Sequence, residues 1–322
     1  MADTIHPVRP NGRFGFQPVG GMVEPDGHSQ WDPILGLPMN MAYAYGTLRA
    51  EDGTYYWPIR GSYETQSRRM HLSEASTPVD FRWAAQGEAA EVGPVQSGTR
   101  DGWTGTWRAD GSPILATNGP RFRWTESGFL DLTGELVGPA IQFFMPDEKE
   151  PLLYTSRLFK GSGTIKGQDV SGLFFHDSMH MPADVDFIRS AYITDLQGAW
   201  VAFATEFEDG TIHAGHLVWG TDNFCIVIVH CTDGPPVIFR DFEVSARISD
   251  DYPVEVRYAG PGGETWIWQA HPAGYRDPIR ADLPEGHRRI QGWAFREGET
   301  RKPVRTEALM ETYNGRLAGH LR

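Results

Sequence analysis

The chain has 322 residues, of which 40% are hydrophobic and 22% are charged, and its formal net charge at pH 7 is −13. This composition is typical of a folded globular protein, and the length suits one large domain or two of roughly 160 residues. The acidic balance argues against nucleic-acid and anionic-membrane partners, because both require basic patches.

The first residues, MADTIHPVRPNGRFGF, lack the apolar segment of a signal peptide. No run of 18 apolar residues follows, so we expect a cytoplasmic protein without a membrane span.

Strand patterns dominate the chain, and most are rich in β-branched and aromatic residues bounded by Asp-Gly or Gly-Gly turns. Their spacing, without helical periods between them, predicts an all-β fold of antiparallel sheets with little helix. Residues 305–317 are the best helix candidate. The predicted strands span residues 42–48, 54–63, 152–160, 187–195, 199–207, 211–219, 224–230, 235–247, 265–271 and 289–297.

One segment is echoed about half a chain later. Residues 43–63 superimpose on residues 200–220 at an offset of 157, and both read as strand, Glu-Asp-Gly-Thr turn, strand. The offset favours duplication of one barrel-like unit. We therefore predict an N-terminal domain over 1–145 and a C-terminal domain over 146–322, with the boundary in the Pro- and Gly-containing stretch 138–151.

Cys225 and Cys231 are the two cysteines of the chain. On one extended strand they would lie about 20 Å apart, too far for a disulfide. Neither belongs to a CxxC pair, so cysteine-ligated zinc is not expected.

The stretch LFFHDSMHMPADVDF, residues 173–187, concentrates ionisable groups inside an apolar segment. A metal site is one interpretation, because His176 and His180 have the His-x3-His spacing that binds zinc on a helix. The flanking residues favour a strand, which would hold the two imidazoles about 13 Å apart, too far to share an ion. We therefore predict that the protein binds no structural or catalytic metal.

An acid–base site is the second interpretation. On a strand His176, Ser178 and His180 point one way, while Phe175 and Asp177 point the other. Histidine titrates near neutrality, and a carboxylate nearby would tune it further. His176 and Asp177 can share one site only if a bulge or turn starts near Asp177. On a regular strand Asp177 would leave the site of His176, and Asp186 would be the next carboxylate to test. A structural role for the histidines, at the rim of a sheet, stays open as the third interpretation.

Two segments carry a resemblance to a known group of proteins. LLYTSRLFKGSGTIKGQDVSGLFFHDSMHMP and AWVAFATEFEDGTIHAGHLVWG, within about 150–235, resemble the AttH-like and carotenoid-hydratase-like proteins. The resemblance implies two lipocalin-like (calycin) β-barrel domains in tandem. It also implies hydratase chemistry by a carboxylic acid and a histidine, without metal or organic cofactor. Those roles would fall on His176 and Asp177, with His180 or His216 as partner.

We therefore predict a cofactor-free hydratase or dehydratase acting on a hydrophobic aromatic or isoprenoid small molecule. The chain contains no GxGxxG after a strand, no P-loop and no GxSxG elbow, which argues against dehydrogenases, kinases and α/β hydrolases. A carrier of hydrophobic ligands and an isomerase or cyclase are the alternatives. The oligomeric state is open, a homodimer being one option. The residues expected to line the substrate pocket are Phe175, Asp186, Tyr192, Trp200 and Trp219.

Overall fold

The computed structural model of the protein describes residues 6–8, 18–24, 31–63, 65–78, 93–147, 149–221, 223–272, 276–277, 286–313 and 316–317. It is 65% strand and 5% helix, and two curled antiparallel sheets form a nearly closed barrel and a half-barrel. The prediction of an all-β fold with two barrel-like units and little helix is confirmed. No helix in the described ranges has the length and apolar character needed to cross a membrane.

The first sheet has 13 strands within the described residues. The strands are β2 (Val19–Val23), β3 (Met39–Ala50), β4 (Tyr55–Ser62), β5 (Gln66–Ala75), β6 (Gly93–Pro94), β7 (Gln96–Arg100), β8 (Trp103–Trp107), β9 (Pro113–Asn118), β10 (Arg121–Glu126), β11 (Leu130–Leu136), β12 (Ala140–Met145), β13 (Leu152–Ile165) and β14 (Gln168–His180). The central strands run in the order β5, β4, β3, β14, β13, β11, β10, and β12 pairs with both β13 and β2.

The second sheet has 11 strands in the same described part of the chain. The strands are β1 (His6–Val8), β15 (Gln197–Phe207), β16 (Ile212–Gly220), β17 (Ile226–Cys231), β18 (Val237–Phe239), β19 (Glu243–Ser249), β20 (Tyr252–Ala259), β21 (Thr265–Ala270), β22 (Arg276–Asp277), β23 (His287–Arg296) and β24 (Pro303–Tyr313). The central strands run in the order β21, β23, β24, β15, β16, β17. Short 3-10 helices span Phe187–Arg189 and Pro261–Gly263, and a π-helix spans Tyr192–Leu196.

The two echoed segments are hairpins, as predicted: β3 pairs with β4, and β15 with β16. In each turn an aspartate accepts from the backbone two residues on, Thr54 N to Asp52 Oδ1 at 2.8 Å and Thr211 N to Asp209 Oδ1 at 3.0 Å. The glycine between them has positive φ, 92° and 84° respectively, which glycine adopts at no steric cost. Local turn chemistry therefore fixes both hairpins.

Two predicted elements are wrong. Residues 305–317 were expected as a helix, but Pro303–Tyr313 is strand β24, paired between β15 and β23. Cross-strand pairing and two-sided burial override the helix-forming residues of this segment. Residues 187–195 were expected as a strand, but they lie mostly in the 3-10 and π-helices that connect the sheets.

The change from one sheet to the other comes late in the chain. β12 and β13 pair with each other inside the first sheet, and β14 continues it. The predicted division between residues 145 and 146 therefore falls within the first sheet, whereas the second sheet resumes only at Gln197.

The two sheets pack against each other through faces that we call the intersheet interface. It is formed by β3, β4, β12, β13 and β14 of the first sheet and β15, β16, β17 and β24 of the second. Polar contacts also cross it: Trp57 Nε1 donates to Glu307 Oε1 at 2.9 Å, and Lys160 pairs with Glu206 at 2.7 Å. The opposite faces of the sheets enclose their own apolar interiors.

Candidate active site between the two sheets

Strand β14 divides the ionisable cluster that the sequence singled out. It pairs without irregularity with β3 as far as Met179, and His176 stands opposite both Arg157 and Ala44. Alternate side chains of a regular strand face opposite sides. His176 therefore faces the interior of the first sheet, whereas Asp177 faces the intersheet interface. The predicted sharing of one site by His176 and Asp177 is wrong, because no bulge starts at Asp177.

Asp177 is held by two tyrosines. Its Oδ2 accepts from Tyr45 Oη at 2.9 Å and from Tyr154 Oη at 2.5 Å. Both tyrosines come from the flanking strands, each at the position diagonal to Asp177, where long side chains reach across. The backbone register of three adjacent strands thus builds this contact.

The other carboxylate oxygen of Asp177 is the one that the tyrosines leave open. Oδ1 makes no hydrogen bond of normal geometry within the described residues, although the Ser156 hydroxyl lies close by. Burial raises the pKa of Asp177 to about 6, while Ser156, the two tyrosine hydroxyls and Arg157 limit the rise. Near neutral pH the carboxyl group can therefore both hold and release a proton.

His216 lies on β16 in the second sheet, and its side chain contacts the residues that surround Asp177 in the intersheet interface. Its ring meets the ring of Tyr154 edge-on, at a centroid distance of 5.4 Å and an angle of 87°. Trp200 lies at 5.4 Å, and Phe143 and Phe175 each lie at 6.2 Å. The imidazole is fully buried in this aromatic surround.

The buried imidazole of His216 is a neutral base. Burial lowers its pKa to about 3, and the Val201 backbone counters this only slightly. Neither ring nitrogen makes a hydrogen bond of normal geometry within the described residues. A buried nitrogen without a partner is costly in a protein interior. Tyr154 touches both His216 and Asp177, so an acid and a base lie on either side of one tyrosine.

Glu307 is a second buried carboxyl group in the interface, and it is not among the residues predicted from the sequence. It accepts from the Thr47 hydroxyl and from Trp57 Nε1 of the first sheet. Burial raises its pKa, against these two hydrogen bonds and the nearby Arg289. A strand assignment for residues 305–313 would have drawn attention to it, as a lone carboxylate among Ala308 and Leu309.

His176 and His180 lie away from this site. The His176 ring packs against Phe122 at 4.9 Å and Trp31 at 5.5 Å inside the first sheet, and burial lowers its pKa to about 3. His180 Nε2 hydrogen-bonds to the Asp32 carbonyl at 3.1 Å, and burial lowers its pKa to about 4. The structure brings neither imidazole to Asp177.

The predicted pocket residues are also divided. Phe175 and Trp200 lie in the interface around His216. Tyr192 lies at its edge and donates to the Glu150 carbonyl at 2.6 Å. Trp219 belongs to the interior of the second sheet. Asp186 caps the 3-10 helix by accepting from Ile188 N at 3.2 Å, and its side chain is 41% exposed.

Among the described residues, one group of three His, Cys and acidic side chains could hold a metal ion: His213, Cys231 and Asp233. It lies outside the site around Asp177, because His213 faces the Phe207 and Trp266 side of β16.

Several solved structures are similar to this chain. A candidate AttH protein of Nitrosomonas europaea aligns with a TM-score of 0.46 and 16% identity, over 86% of this chain and 92% of that one. Kievitone hydratase of Nectria haematococca aligns with a TM-score of 0.42 and 10% identity, over 97% of both chains. CghA in complex with Sch210972 aligns with a TM-score of 0.34 and 10% identity, over 97% of this chain and 99% of that one. No family model and no curated protein matches the chain.

Proposed function

We propose that the protein is a cofactor-free acid–base lyase, a hydratase or dehydratase of a hydrophobic aromatic or isoprenoid molecule bound in the intersheet interface. The observation that carries the proposal is the placement of Asp177 and His216 on either side of Tyr154. A positioned acid and a positioned base, kept from bulk water, are what addition or elimination of water requires.

Asp177 is the proton donor for hydration. Its Oδ2 already accepts from two tyrosine hydroxyls, so we place the acidic proton on Oδ1. Transfer of that proton to one carbon of a double bond leaves positive charge on the neighbouring carbon. The faces of Trp200 and Phe143 stabilise such charge through the ring quadrupole.

His216 is the base. Its neutral imidazole takes a proton from a water molecule as the water oxygen bonds to the electron-deficient carbon. The net change is addition of one water to the double bond, with Asp177 ionised and His216 protonated. Return of the proton from His216 to Asp177 restores the starting state. Tyr154 contacts both groups, through its hydroxyl to Asp177 and through its ring to His216. Dehydration follows the same steps in reverse.

In the active form the carboxyl group of Asp177 is protonated and the imidazole of His216 is neutral. Since the pKa of Asp177 is about 6 and that of His216 about 3, kcat/KM should fall above about pH 6 and below about pH 3. The limbs of kcat/KM report the free enzyme, whereas the limbs of kcat report the complex. A bound apolar substrate excludes water, so we expect the upper limb of kcat to lie at a higher pH.

The proposal is tested by incubation of the protein with a panel of aromatic and isoprenoid alkenes and the corresponding tertiary alcohols. We expect product masses that differ from the substrate by one water, and one carbon-bound deuterium when hydration runs in D2O. Asp177→Asn and His216→Phe should each lower turnover by about 100-fold or more, the usual worth of a positioned acid or base. Asp186→Asn is the matched control for loss of one carboxylate and should leave turnover unchanged.

Two results would overturn the proposal. A product of unchanged mass would indicate an isomerase or cyclase, and recovery of every ligand unaltered would indicate a carrier. Full turnover by either Asp177→Asn or His216→Phe would remove the acid–base pair from the mechanism.

A further inference from the structure

Strands β16 and β17 bring a histidine and a cysteine face to face. His213 and Cys231 are directly opposite in the strand register, and the Cβ atoms of such a pair lie about 4.5–5.5 Å apart. Asp233 follows in the turn after β17, with Oδ1 3.0 Å from His213 Nε2. The potential ligand atoms of all three side chains lie within 4.8 Å of one another. The backbone pairing therefore fixes this group, which the acid–base site does not use.

The donor set is one that suits zinc. Imidazole nitrogen, thiolate sulfur and carboxylate oxygen are the three ligand types of protein zinc sites. Calcium and magnesium prefer sites made of oxygen alone. His213 and Cys231 are buried, whereas the Asp233 side chain is 34% exposed, so an ion can enter from solvent past the carboxylate.

An arginine already places positive charge at this point. Arg301 Nη1 donates to Asp233 Oδ2 at 2.7 Å, and Arg301 Nη2 lies 3.2 Å from His213 Nε2. His213 Nε2 thus faces a carboxylate and a guanidinium N–H at once. A protonated Nε2 suits only the carboxylate and an unprotonated Nε2 suits only the guanidinium, so one contact is unfavourable in either tautomer. A cation bound by Nε2 and Oδ1 removes that conflict.

Arg301 has other partners to keep if it leaves Asp233. Its Nε and Nη2 donate to Glu299 at 2.9 and 2.6 Å, and Nη1 also donates to Thr211 Oγ1 at 2.7 Å. Displacement by an ion therefore breaks the Asp233 and His213 contacts, while Glu299 and Thr211 remain as partners for the guanidinium.

We propose that His213, Cys231 and Asp233 bind one zinc-class divalent ion, and that Arg301 is the resident cation which the ion displaces. The Cys231 thiol loses its proton to solvent on binding, the ion gains one nitrogen, one sulfur and one oxygen ligand, and water completes the coordination. The ion links β16 to the turn after β17. A search of the sequence for CxxC pairs does not find this group, because His213, which lies opposite Cys231, comes from the neighbouring strand.

Titration of the metal-free protein with Co2+ tests the proposal, since cobalt substitutes for zinc and a thiolate ligand gives it a near-ultraviolet charge-transfer band. We expect that band at one equivalent, its loss on addition of Zn2+, and an affinity that rises with pH because the thiol must ionise. Cys231→Ser should abolish the band. Cys225→Ser is the matched control, since Cys225 is also a buried thiol but contacts the Arg240 carbonyl, and it should retain the band.

Arg301→Gln tests the competition. Removal of a guanidinium charge within about 4 Å of the ligands should tighten Co2+ binding by at least about tenfold. Absence of the band in the wild-type protein, or its survival in Cys231→Ser, would overturn the site. Equal affinity of Arg301→Gln and wild type would overturn the role of Arg301.

Discussion

Replacement of Asp177 by asparagine removes a buried charge that lowers the free energy of unfolding, and the size of this effect follows from the structure. The side chain is 2% exposed, and burial raises its pKa from 3.8 to about 6. One pKa unit corresponds to about 1.4 kcal/mol between the two protonation states. Ionised Asp177 therefore lowers the free energy of unfolding by about 3 kcal/mol relative to its protonated form.

The sign of the pH dependence follows from linkage. Below about pH 4 the carboxyl group is protonated in both the folded and the unfolded chain, so it costs nothing. As pH rises from about 4 to 6 the unfolded chain ionises first, and the folded state loses stability until its own carboxyl group ionises. Asparagine is neutral throughout. We expect Asp177→Asn to gain about 3 kcal/mol over wild type between pH 4 and pH 8.

Guanidinium unfolding of both proteins, followed by tryptophan fluorescence at pH 4 and pH 8, measures this difference. Asp186→Asn is the control for loss of one exposed carboxylate. Its free energy of unfolding relative to wild type should change much less between pH 4 and pH 8. The reasoning fails if the gap between Asp177→Asn and wild type is the same at both pH values, or if the variant is the less stable protein at pH 8.

Three further changes separate the roles of neighbouring residues. Tyr154→Phe removes a hydrogen-bond donor to ionised Asp177 and so raises the pKa of that carboxyl group. The upper limb of the pH profile of kcat/KM should therefore move to higher pH. If that limb does not move, the hydrogen bond does not set the pKa of Asp177. His176→Ala leaves a cavity inside the first sheet and should lower the free energy of unfolding, measured by chemical denaturation, by about 2–4 kcal/mol. The kcat/KM of the folded protein should not change, and a selective loss of turnover would return His176 to the site. Glu307→Ala leaves buried Trp57 Nε1 without its acceptor and should lower the free energy of unfolding, measured in the same way, by about 1–3 kcal/mol. Glu307→Gln keeps one acceptor oxygen and should lower it by less, and equal losses in the two variants would contradict the assigned hydrogen bond.

The parts of the fold that could be predicted are those set by local chemistry. The Asp-Gly turns fixed the hairpins at 43–63 and 200–220, because glycine is needed where φ is positive. Alternation along 173–181 likewise indicated that His176 and Asp177 point apart unless a bulge intervenes. Residues 305–313 misled because their side chains favour a helix in isolation, whereas their pairing with β15 and β23 decides the strand.

The composition of the site depends on contacts between distant parts of the chain. Tyr154 and Tyr45 are 23 and 132 residues away from Asp177 in sequence, and each reaches it only through strand register. His216 joins them because the second sheet packs on the first. A single sequence contains no local signal for such register or packing, so the sequence pointed to Asp177 and His216 as candidates but to neither tyrosine.

The location of the reacting centre is tested most directly by a crystal structure of the protein with a hydrophobic alkene or alcohol from the panel bound. We expect the ligand in the intersheet interface, with its reacting carbon near Asp177 Oδ1 and its hydroxyl, or the attacking water, within hydrogen-bond distance of a His216 ring nitrogen. A ligand inside the first sheet, against His176 and His180, with Tyr154 and His216 undisturbed, would contradict the account.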